Sequence, residues 1–331
     1  MIVSRSLTQE IKQEALAVGF DAVGISAVPQ VRPHEPAAVP DAFLPRLLAR
    51  LHQWLGWEFH ATMSWMARDP DRRANPSRVL PGCRSIISVG INYYTDHRAT
   101  ERAGEGRIAR YAWGRDYHEL VGQRLQKLER YIQAIAPHEV TCSYVDTGPI
   151  MEKAWAERSG LGWIGKHSNL VSPQFGSWLL LGEVLTTLEL SADEPGTDLC
   201  GSCTLCIKAC PTGAITEPYV VDASRCISYL TIELRDAGSI SDDLARNIGN
   251  RIFGCDDCLD VCPYNVNAQE SHEAAFQPHD MTLSPELDRL EAFTAAEFAS
   301  AFRHSPVRRS KFSGFQRNVS LAQANTRRHR T

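Results

Sequence analysis

Eight of the ten cysteines of this chain fall within 63 consecutive residues, in an order that suits metal clusters. The first run has the spacing C-x2-C-x2-C-x3-C-P and reads Cys200-Gly-Ser-Cys203-Thr-Leu-Cys206-Ile-Lys-Ala-Cys210-Pro211. Gaps of two residues let three thiolates of one loop reach three irons of a cubane 4Fe–4S cluster, whereas the gap of three carries the fourth thiolate away. The run therefore predicts a protein that transfers electrons one at a time.

A second run repeats most of this spacing after a long interruption. Cys226 is followed, after 28 residues with helical character, by Cys255-Asp-Asp-Cys258-Leu-Asp-Val-Cys262-Pro263. In such pairs of runs the fourth cysteine of each binds the cluster of the other. The cysteines assigned by this rule to the first cluster are Cys200, Cys203, Cys206 and Cys262. Those assigned to the second cluster are Cys210, Cys226, Cys255 and Cys258.

Zinc and disulfides are the other common uses of grouped cysteines. Structural zinc favours paired C-x2-C ligands and has no use for a triple run that ends in Cys-Pro. Disulfides need an oxidising compartment, and the N-terminus Met-Ile-Val-Ser-Arg-Ser lacks the basic start and apolar core of a signal peptide. The protein is therefore expected in the cytoplasm with reduced thiols, and Cys83 and Cys142 are predicted to be buried cysteines that bind no metal.

Length and composition indicate a large domain beside the clusters. A two-cluster ferredoxin unit needs about a quarter of the 331 residues, so two or three domains are expected. The 43% hydrophobic and 22% charged residues are typical of a globular protein with a sizeable core. No apolar run reaches the roughly 18 residues of a membrane helix, so no membrane partner is expected.

The charge of the chain is unevenly distributed. A net charge of −4 argues against a strongly basic nucleic-acid-binding protein, but residues 303–331 hold eight Arg or Lys and no acid. A basic segment of this kind can contact a polyanion. The alternative is a solvated or frayed terminus from Ala322 onward.

Helices and strands alternate through residues 1–190, which favours an α/β layer architecture. A helix is predicted from Leu7 to Val18, with a capping box Ser6-x-x-Gln9, and a strand over residues 20–28. Further helices are predicted at residues 44–56 and 122–135, and further strands at residues 85–91, 140–145 and 178–190. Loops or linkers are predicted at residues 68–76, 95–107 and 191–199.

A second constellation runs from Val145 to Lys166. Asp146 ends a predicted strand just before a helix, for which Pro149 suits the first position and Gly160 the C′ position. The Asp146 carboxyl can therefore cap the helix or serve chemistry, and both readings stay open. The glycines after the helix permit a flat ligand to approach the backbone closely.

At these motifs the chain resembles the epoxyqueuosine reductase family, over about residues 5–320. The residues that carry the resemblance include Asp146-Thr-Gly-Pro, Ala156-Glu-Arg-Ser-Gly-Leu-Gly-Trp-Ile-Gly-Lys166, the Cys200 run, Arg225-Cys226-Ile-Ser228-Tyr-Leu-Thr231, Ile248-Gly-Asn-Arg-Ile-Phe-Gly-Cys255 and Tyr111-Ala-Trp-Gly-Arg-Asp-Tyr-His118. The resemblance implies an α/β (α+β) fold with a nitroreductase-like corrinoid-binding domain at 1–190 and a ferredoxin-like two-cluster domain at 191–270. A basic C-terminal segment at 271–331 takes the place of the helical-repeat domain that many members add.

The resemblance also implies an activity. It is that of an oxidoreductase that reduces the epoxide of epoxyqueuosine at the tRNA wobble position to queuosine, the final step of queuosine biosynthesis. Its cofactors are two 4Fe–4S clusters that pass electrons to cobalamin, and its partners are tRNA and an external one-electron donor; a monomer is expected. Asp146 is the implied proton donor, because an alkoxide-like leaving oxygen is costly until protonated. Burial against a corrin favours the protonated form of the Asp146 carboxyl, whereas a position at a helix start favours the anion. The role of proton donor therefore requires the effect of burial to be the larger.

Further site residues are implied with alternatives. The cobalamin contacts implied are Arg73, Asp146, Leu170, Ser228 and Asp256. Arg73 can equally be a surface salt-bridge partner, and Ser228 can donate to a cluster sulfur. His118 lies in Asp116-Tyr-His118-Glu-Leu-Val-Gly122, whose spacing differs by one residue from the motif D-x-H-x-x-G of enzymes that bind cobalt through a histidine. We therefore do not expect His118 to bind cobalt, and its role is either structural or acid–base. Phosphate contacts to tRNA are expected from Arg308, Arg309, Lys311 and Arg317.

Two alternative functions remain, together with a possible stacking contact between two tryptophans and a tRNA base. A reductive dehalogenase-like enzyme on a small organohalide would share corrinoid and clusters, but such enzymes usually carry an export signal. A ferredoxin-type electron carrier would need no second site such as the Asp146–Lys166 motif. Trp113 and Trp163 can stack on a base, or they can belong to the core.

Overall fold

A computed structural model describes residues 6–29, 42–99, 102–235, 240–266 and 268–328. Its α-helices are α1 Leu7–Ala17, α2 Phe43–Gly56, α3 Pro70–Ala74, α4 Tyr117–Ile135, α5 Glu152–Arg158, α6 Leu205–Ala209, α7 Ile227–Ile232, α8 Asp242–Asn247, α9 Asp257–Asp260, α10 Asp280–Leu283, α11 Leu287–Glu291, α12 Ala295–Ala301 and α13 Lys311–Arg328. Its strands are β1 Ala22–Ala27, β2 Ser85–Asn92, β3 Arg107–Ile108, β4 Thr141–Tyr144, β5 Trp163–Ile164, β6 Leu170–Val171, β7 Leu179–Thr186, β8 Ile215–Glu217, β9 Val220–Val221 and β10 Arg251–Phe253. Short 3₁₀ turns occupy Ser64–Met66, Pro76–Arg78, Arg110–Ala112, Ala223–Arg225, Pro263–Asn265, Ala274–Phe276 and Pro306–Ser310.

The main sheet has four strands in the order β1-β2-β7-β4. Every neighbouring pair in it is antiparallel, so the mixed fold takes its α+β form. All eight residues of β2 are buried, because the strand is central and covered on both faces. The four strands predicted within residues 20–190 are confirmed, with small differences at their ends.

Helices cover both faces of this sheet. α1 and α4 bury Ile11 and Leu125 against one face, which includes Ile87 of β2. α5 buries Trp155 against the other face, which includes Ile86. Consecutive residues of a strand point to opposite faces, so β2 contributes to both layers of the core.

Three local predictions need correction. Residues 68–76 contain a short helix, α3, because Asp69 caps it by accepting the N–H of Arg72 at 2.9 Å. α4 begins at Tyr117 rather than residue 122, since Asp116 caps it. α5 begins at Glu152 and not at Pro149, because residues 145–150 form a series of bends. The positions predicted for the capping box of α1 and for Gly160, with φ +78°, are confirmed.

The C-terminal residues are folded onto the rest of the chain. α13 buries Phe315, Val319 and Ala322 in a cluster that contains Phe253 and Trp113. The side-chain amide of Asn325 donates to backbone carbonyls 2.8 and 3.0 Å away in and after α8. The frayed terminus considered from Ala322 onward is therefore wrong as far as residue 328, and residues 329–331 lie outside the described ranges. The domain boundaries at residues 190 and 270 stay predictions.

The long gap within the second cysteine run has the helical character predicted for it. It holds α7 and α8 and then β10, which pairs in parallel with β3 of the preceding part of the chain. The insertion therefore joins the cysteine-rich part to the part that carries the main sheet. In the described ranges, no helix is both long and apolar enough to cross a membrane.

Candidate active site and cluster-binding segments

A cavity of about 1920 Å³ lies beside the C-terminal ends of β2 and β4 and the N-terminal end of β7. Ligand pockets usually measure roughly 300–1,000 Å³, so this one can accept a large cofactor together with part of a substrate. Its apolar lining includes Leu170, Leu179, Leu180, Leu181, Leu259 and Phe298. Its polar lining includes Arg73, His118, Asp146, Glu152, Lys153 and Ser228.

Asp146 reaches this cavity from a strained turn. Its φ of +56° lies in the left-handed region, which is uncommon for residues other than glycine. Its backbone N–H donates to Oε1 of Glu152 at 2.6 Å, and a Cβ on Gly148 would lie 2.4 Å from the ring of Tyr144. The turn is thus pressed against β4, and the Asp146 side chain, 60% accessible, projects into the cavity. The helix-cap reading is wrong, since α5 has Met151 at its N-cap position.

His118 lies between two carboxylates. Its Nδ1 is 2.7 Å from Oδ1 of Asp116, and its Nε2 is 3.2 Å from Oδ2 of Asp146. A protonated imidazole donates from both nitrogens, which suits this arrangement. Burial lowers the pKa of His118, but the hydrogen bonds to Asp116 and Asp146 outweigh it and raise that pKa to about 9. The structure thus places His118 in contact with the carboxyl that faces the cavity, and its acid–base role stays a prediction.

The same contact sets the charge of Asp146. The hydrogen bond from His118 lowers the pKa of the Asp146 carboxyl; burial opposes this shift, and the charges of His118 and Arg309 add to it. For the residues of the chain themselves, the hydrogen bond therefore outweighs burial, so the condition that burial prevail at Asp146 is not met by them alone. Both shifts favour the proton on His118 and the anionic form of Asp146.

Two adjacent residues of α5 also face the cavity, and sequence reasoning gave neither a role. Burial, followed by the charge of Asp146, raises the pKa of Glu152 to about 7. Burial lowers the pKa of Lys153, whose Nζ donates to the carbonyl of Ser168 at 2.8 Å and to Oδ1 of Asn169 at 3.0 Å. In the sequence, the only indication of a role for Glu152 and Lys153 is that they follow the Asp146 turn closely. Only the folded chain shows that both line the same cavity.

Three of the implied cobalamin contacts besides Asp146 line the cavity. They are Arg73, Leu170 and Ser228. Asp256 is different, because its carboxylate accepts the backbone N–H of Arg110 at 2.6 Å and it is not among the lining residues described. We therefore withdraw Asp256 as a direct contact. The broad apolar wall, the polar rim and the presence of Cys226 in the same lining suit a large, flat redox cofactor.

The electrostatics of the cysteines separate them into two groups. Burial raises the pKa of Cys206, and the charges of Cys200, Cys262 and Cys203 raise it further. Burial likewise raises the pKa of Cys258 well above its usual range, with added contributions from groups that include Cys255, Cys226 and Cys210. These are the two crossed sets expected from the spacing. Burial also raises the pKa of Cys262 in the first set and of Cys226 and Cys255 in the second. Thiols with raised pKa values need a strongly cationic partner before they become thiolates, which irons supply.

The choice of cubane clusters over zinc rests on the spacing of the two cysteine runs. In the described part of the chain, no three His, Cys, Asp or Glu side chains converge tightly enough to hold a single metal ion.

The glycines after α5 serve backbone packing. A Cβ on Gly162 would lie 2.1 Å from the carbonyl oxygen of Val171, and one on Gly196 would lie 1.6 Å from that of Gly162. The predicted approach of a flat ligand to these glycines is therefore wrong.

Trp113 and Trp163 are 2% and 1% exposed, so they belong to the core and do not stack on a base.

The basic residues predicted to contact phosphate divide into two kinds. Arg308, Arg309 and Lys311 line the cavity, and Arg309 also pairs with Glu233 at 2.8 and 3.0 Å. Arg317 points inward, where its guanidinium donates to carbonyls of α7 and the residues after it at 2.5 and 2.8 Å. Its donors are used within the protein, so we withdraw it from the phosphate contacts.

Both the sequence and the fold of this chain match known proteins. A family model for epoxyqueuosine reductase QueG matches residues 73–147, and a model for a 4Fe-4S double cluster binding domain matches residues 199–265. The epoxyqueuosine reductase of Synechocystis sp. is 46% identical over 83% of this chain and 94% of its own length. The chain belongs to the epoxyqueuosine reductase family.

Two further members of the epoxyqueuosine reductase family match almost the whole chain. The Escherichia coli enzyme is 41% identical over 96% of this chain and 81% of its own length. A crystal structure of an epoxyqueuosine reductase with a tRNA-Tyr epoxyqueuosine-modified tRNA stem loop superimposes with a TM-score of 0.85 at 31% identity. That match covers 97% of this chain and 81% of the other. The resemblance seen in the sequence and the expected two-cluster fold are confirmed.

Proposed function

We propose that this protein reduces the epoxide of epoxyqueuosine in tRNA to the alkene of queuosine. The observation that carries the proposal is the Asp116–His118–Asp146 arrangement in a cavity that Cys226 also lines. An acid–base pair and a ligand of the second cluster thus face one space. A carrier that only passes electrons to another protein has no use for such a cavity, so the ferredoxin-type alternative is not favoured.

The reaction requires two electrons and two protons. Both C–O bonds of the epoxide break, an alkene forms, and the oxygen leaves as water. Cobalamin bound in the cavity would supply a cobalt centre able to deliver the electrons that the two clusters transfer singly. The apolar wall around Leu170 and Leu179–Leu181 would hold the corrin, and Arg73 and Ser228 would hold its polar edge.

The protons come from groups of this chain. Asp146 is the residue that we propose to transfer the proton to the departing oxygen, because both residues line the cavity and its side chain is the more exposed, at 60% against 34% for His118. His118 holds that proton and passes it through its 3.2 Å contact with Asp146. Glu152, with a pKa raised to about 7, is partly protonated near neutrality and is the candidate for the second proton.

The tRNA would approach over the basic rim of the cavity. Arg308 and Lys311 are exposed there, and phosphate contacts from such residues fix a nucleic acid without reading its bases. The relative whose crystal structure holds a modified tRNA stem loop supports this substrate. An external one-electron donor, a cytoplasmic location and a monomeric state complete the proposal.

Anaerobic reconstitution tests it. The protein is loaded with iron, sulfide and cobalamin, reduced chemically, and incubated with tRNA that carries epoxyqueuosine. Nucleoside mass spectrometry should show queuosine formed by the wild-type protein and little by Asp146→Asn with equal cofactor content. Reduction of a small organohalide without any formation of queuosine would favour the dehalogenase-like alternative instead. In cells, deletion of the gene should cause epoxyqueuosine to accumulate in tRNA.

A further inference from the structure

The hairpin that follows α5 contacts the ligand loop of the first cluster. The indole N–H of Trp163 donates to Sγ of Cys200, with nitrogen and sulfur 3.4 Å apart. The indole ring also packs edge-on against Tyr264, with ring centres 4.7 Å apart. Tyr264 follows Cys262 closely, so one side chain contacts both segments that supply ligands to the first cluster.

A buried cation lies over the same loop. Nζ of Lys166 donates to the carbonyls of Gly201 and Cys203, at 2.5 and 2.9 Å. Lys166 is 8% exposed, and Trp163 is 1% exposed. Water therefore screens neither group well, and their electrostatic effect on the loop is larger than it would be on the surface.

We infer that Trp163 and Lys166 raise the reduction potential of the first cluster. Reduction adds one negative charge to a cluster and its thiolates. A hydrogen bond to a ligand sulfur and a nearby ammonium group both stabilise that added charge, and such contacts are known to set cluster potentials. Both are tuning and positioning residues, since neither contacts the substrate.

The location of the first cluster gives this tuning a purpose. Its loop carries the exposed side chains of Leu199 and Leu205, whereas Cys226 of the second cluster lines the cavity. The first cluster is thus the one nearer the surface, where an external donor can reach it. A higher potential there makes the first electron transfer from the donor more favourable.

The same hairpin reaches the cavity at its other end. Trp163 pairs with Val171, and Ile164 pairs with Leu170, which lines the cavity. Lys166 therefore lies in the turn of a hairpin that contacts the cluster loop and also contributes to the cavity wall. The inference rests on the two-cluster part of the proposed function and does not depend on the tRNA substrate.

Redox titration of the reconstituted protein, followed by electron paramagnetic resonance, tests the inference. Trp163→Phe removes the N–H donor and keeps an aromatic ring, and Lys166→Met removes the charge and keeps most of the length. Each should shift one cluster to a more negative midpoint potential and leave the other cluster unchanged. The matched control is Trp113→Phe, because the Trp113 N–H donates to a backbone carbonyl, at 2.7 Å, and not to a cysteine.

Several outcomes separate the readings. Full iron content with unmoved potentials in both variants would overturn the inference, as would an equal shift of both clusters. If Trp163→Phe fails to retain its cluster, Lys166→Met and Lys166→Arg are compared instead. The midpoint potential of the first cluster should fall in Lys166→Met and should lie closer to the wild-type value in Lys166→Arg. An unchanged potential in Lys166→Met then refutes the tuning role. A wild-type protein that binds no 4Fe–4S cluster would instead refute the proposed function.

Discussion

Nε2 of His118 lies 3.2 Å from Oδ2 of Asp146, across a separation of 28 residues in the chain. Asp116 holds the other ring nitrogen at 2.7 Å, so the imidazole is fixed between an anchor and the group that faces the cavity. The contact lowers the pKa of the Asp146 carboxyl and raises the pKa of the His118 imidazole. In the mechanism that we propose, the pair holds one proton near neutral pH and releases it at the cavity.

Substitutions in this pair should separate proton transfer from cofactor binding. Asp146→Asn and Asp146→Ala are expected to retain both clusters and cobalamin but to lose most turnover, by about 10²–10⁴-fold, which is the usual contribution of a general acid. His118→Gln should lose less, because Asp146 can still be protonated from solvent. Single-turnover assays with matched iron and cobalt content measure this. Rates like those of wild type in either Asp146 variant would remove Asp146 from the mechanism.

The pH dependence follows from the direction of the His118 shift. The folded-state pKa, about 9, lies above the ordinary value of 6.5, so the pair stabilises the fold fully below about pH 6.5 and loses this effect as pH rises through 9. The contribution is about 1–2 kcal/mol after a discount for a side chain that is 34% accessible. Thermal unfolding of the apoprotein at pH 6 and pH 10 measures it.

A matched variant sharpens the same prediction. In Asp146→Asn one of the two carboxylate partners is lost, so the pKa of His118 should fall and the alkaline loss of stability should begin at lower pH. Identical pH profiles for the wild type and Asp146→Asn would show that the 3.2 Å contact has no energetic weight.

The basic rim should act through phosphate contacts that depend on salt. The double variant Arg308→Ala with Lys311→Ala is expected to weaken tRNA binding and to reduce the slope of log affinity against log salt by roughly 1–2. The matched control is Lys127→Ala with Arg130→Ala, which removes the same two charge types from the exposed side of α4. Filter binding over a range of salt concentrations compares them. Equal slopes for the two double variants would refute the assignment of the rim.

The crossed assignment of the cysteines predicts which pairs of variants behave alike. Cys206→Ser and Cys262→Ser should each lose the same cluster, although 56 positions separate them. Cys258→Ser should lose the other cluster and keep the first. Iron content should fall by about half in each, and the surviving resonance signal identifies the cluster that remains. Cys142→Ser is the control and should keep the full iron content. If Cys262→Ser instead behaved like Cys258→Ser, the runs would not cross.

The chemistry of the clusters was accessible from the sequence because ligand spacing is a local property. Gaps of two and three residues decide which thiolates one loop can present, and no distant contact alters that. The strands and the longer helices were predictable for the same reason, since their periodicity of burial is carried by neighbouring residues. Asp146 was found through a contiguous motif at the end of β4.

Only the tertiary structure decided how those residues are used. The charge on Asp146, the pairing with His118 and the raised pKa of Glu152 all arise between groups that the fold brings together from separate elements. Arg317 and Asp256 resembled their neighbours in the sequence but turn toward internal partners, because side-chain direction depends on which face of an element packs inward. The sequence thus determined the two sets of cluster ligands and the motif that contains Asp146. Packing determined which partners these side chains have and which basic residues line the cavity.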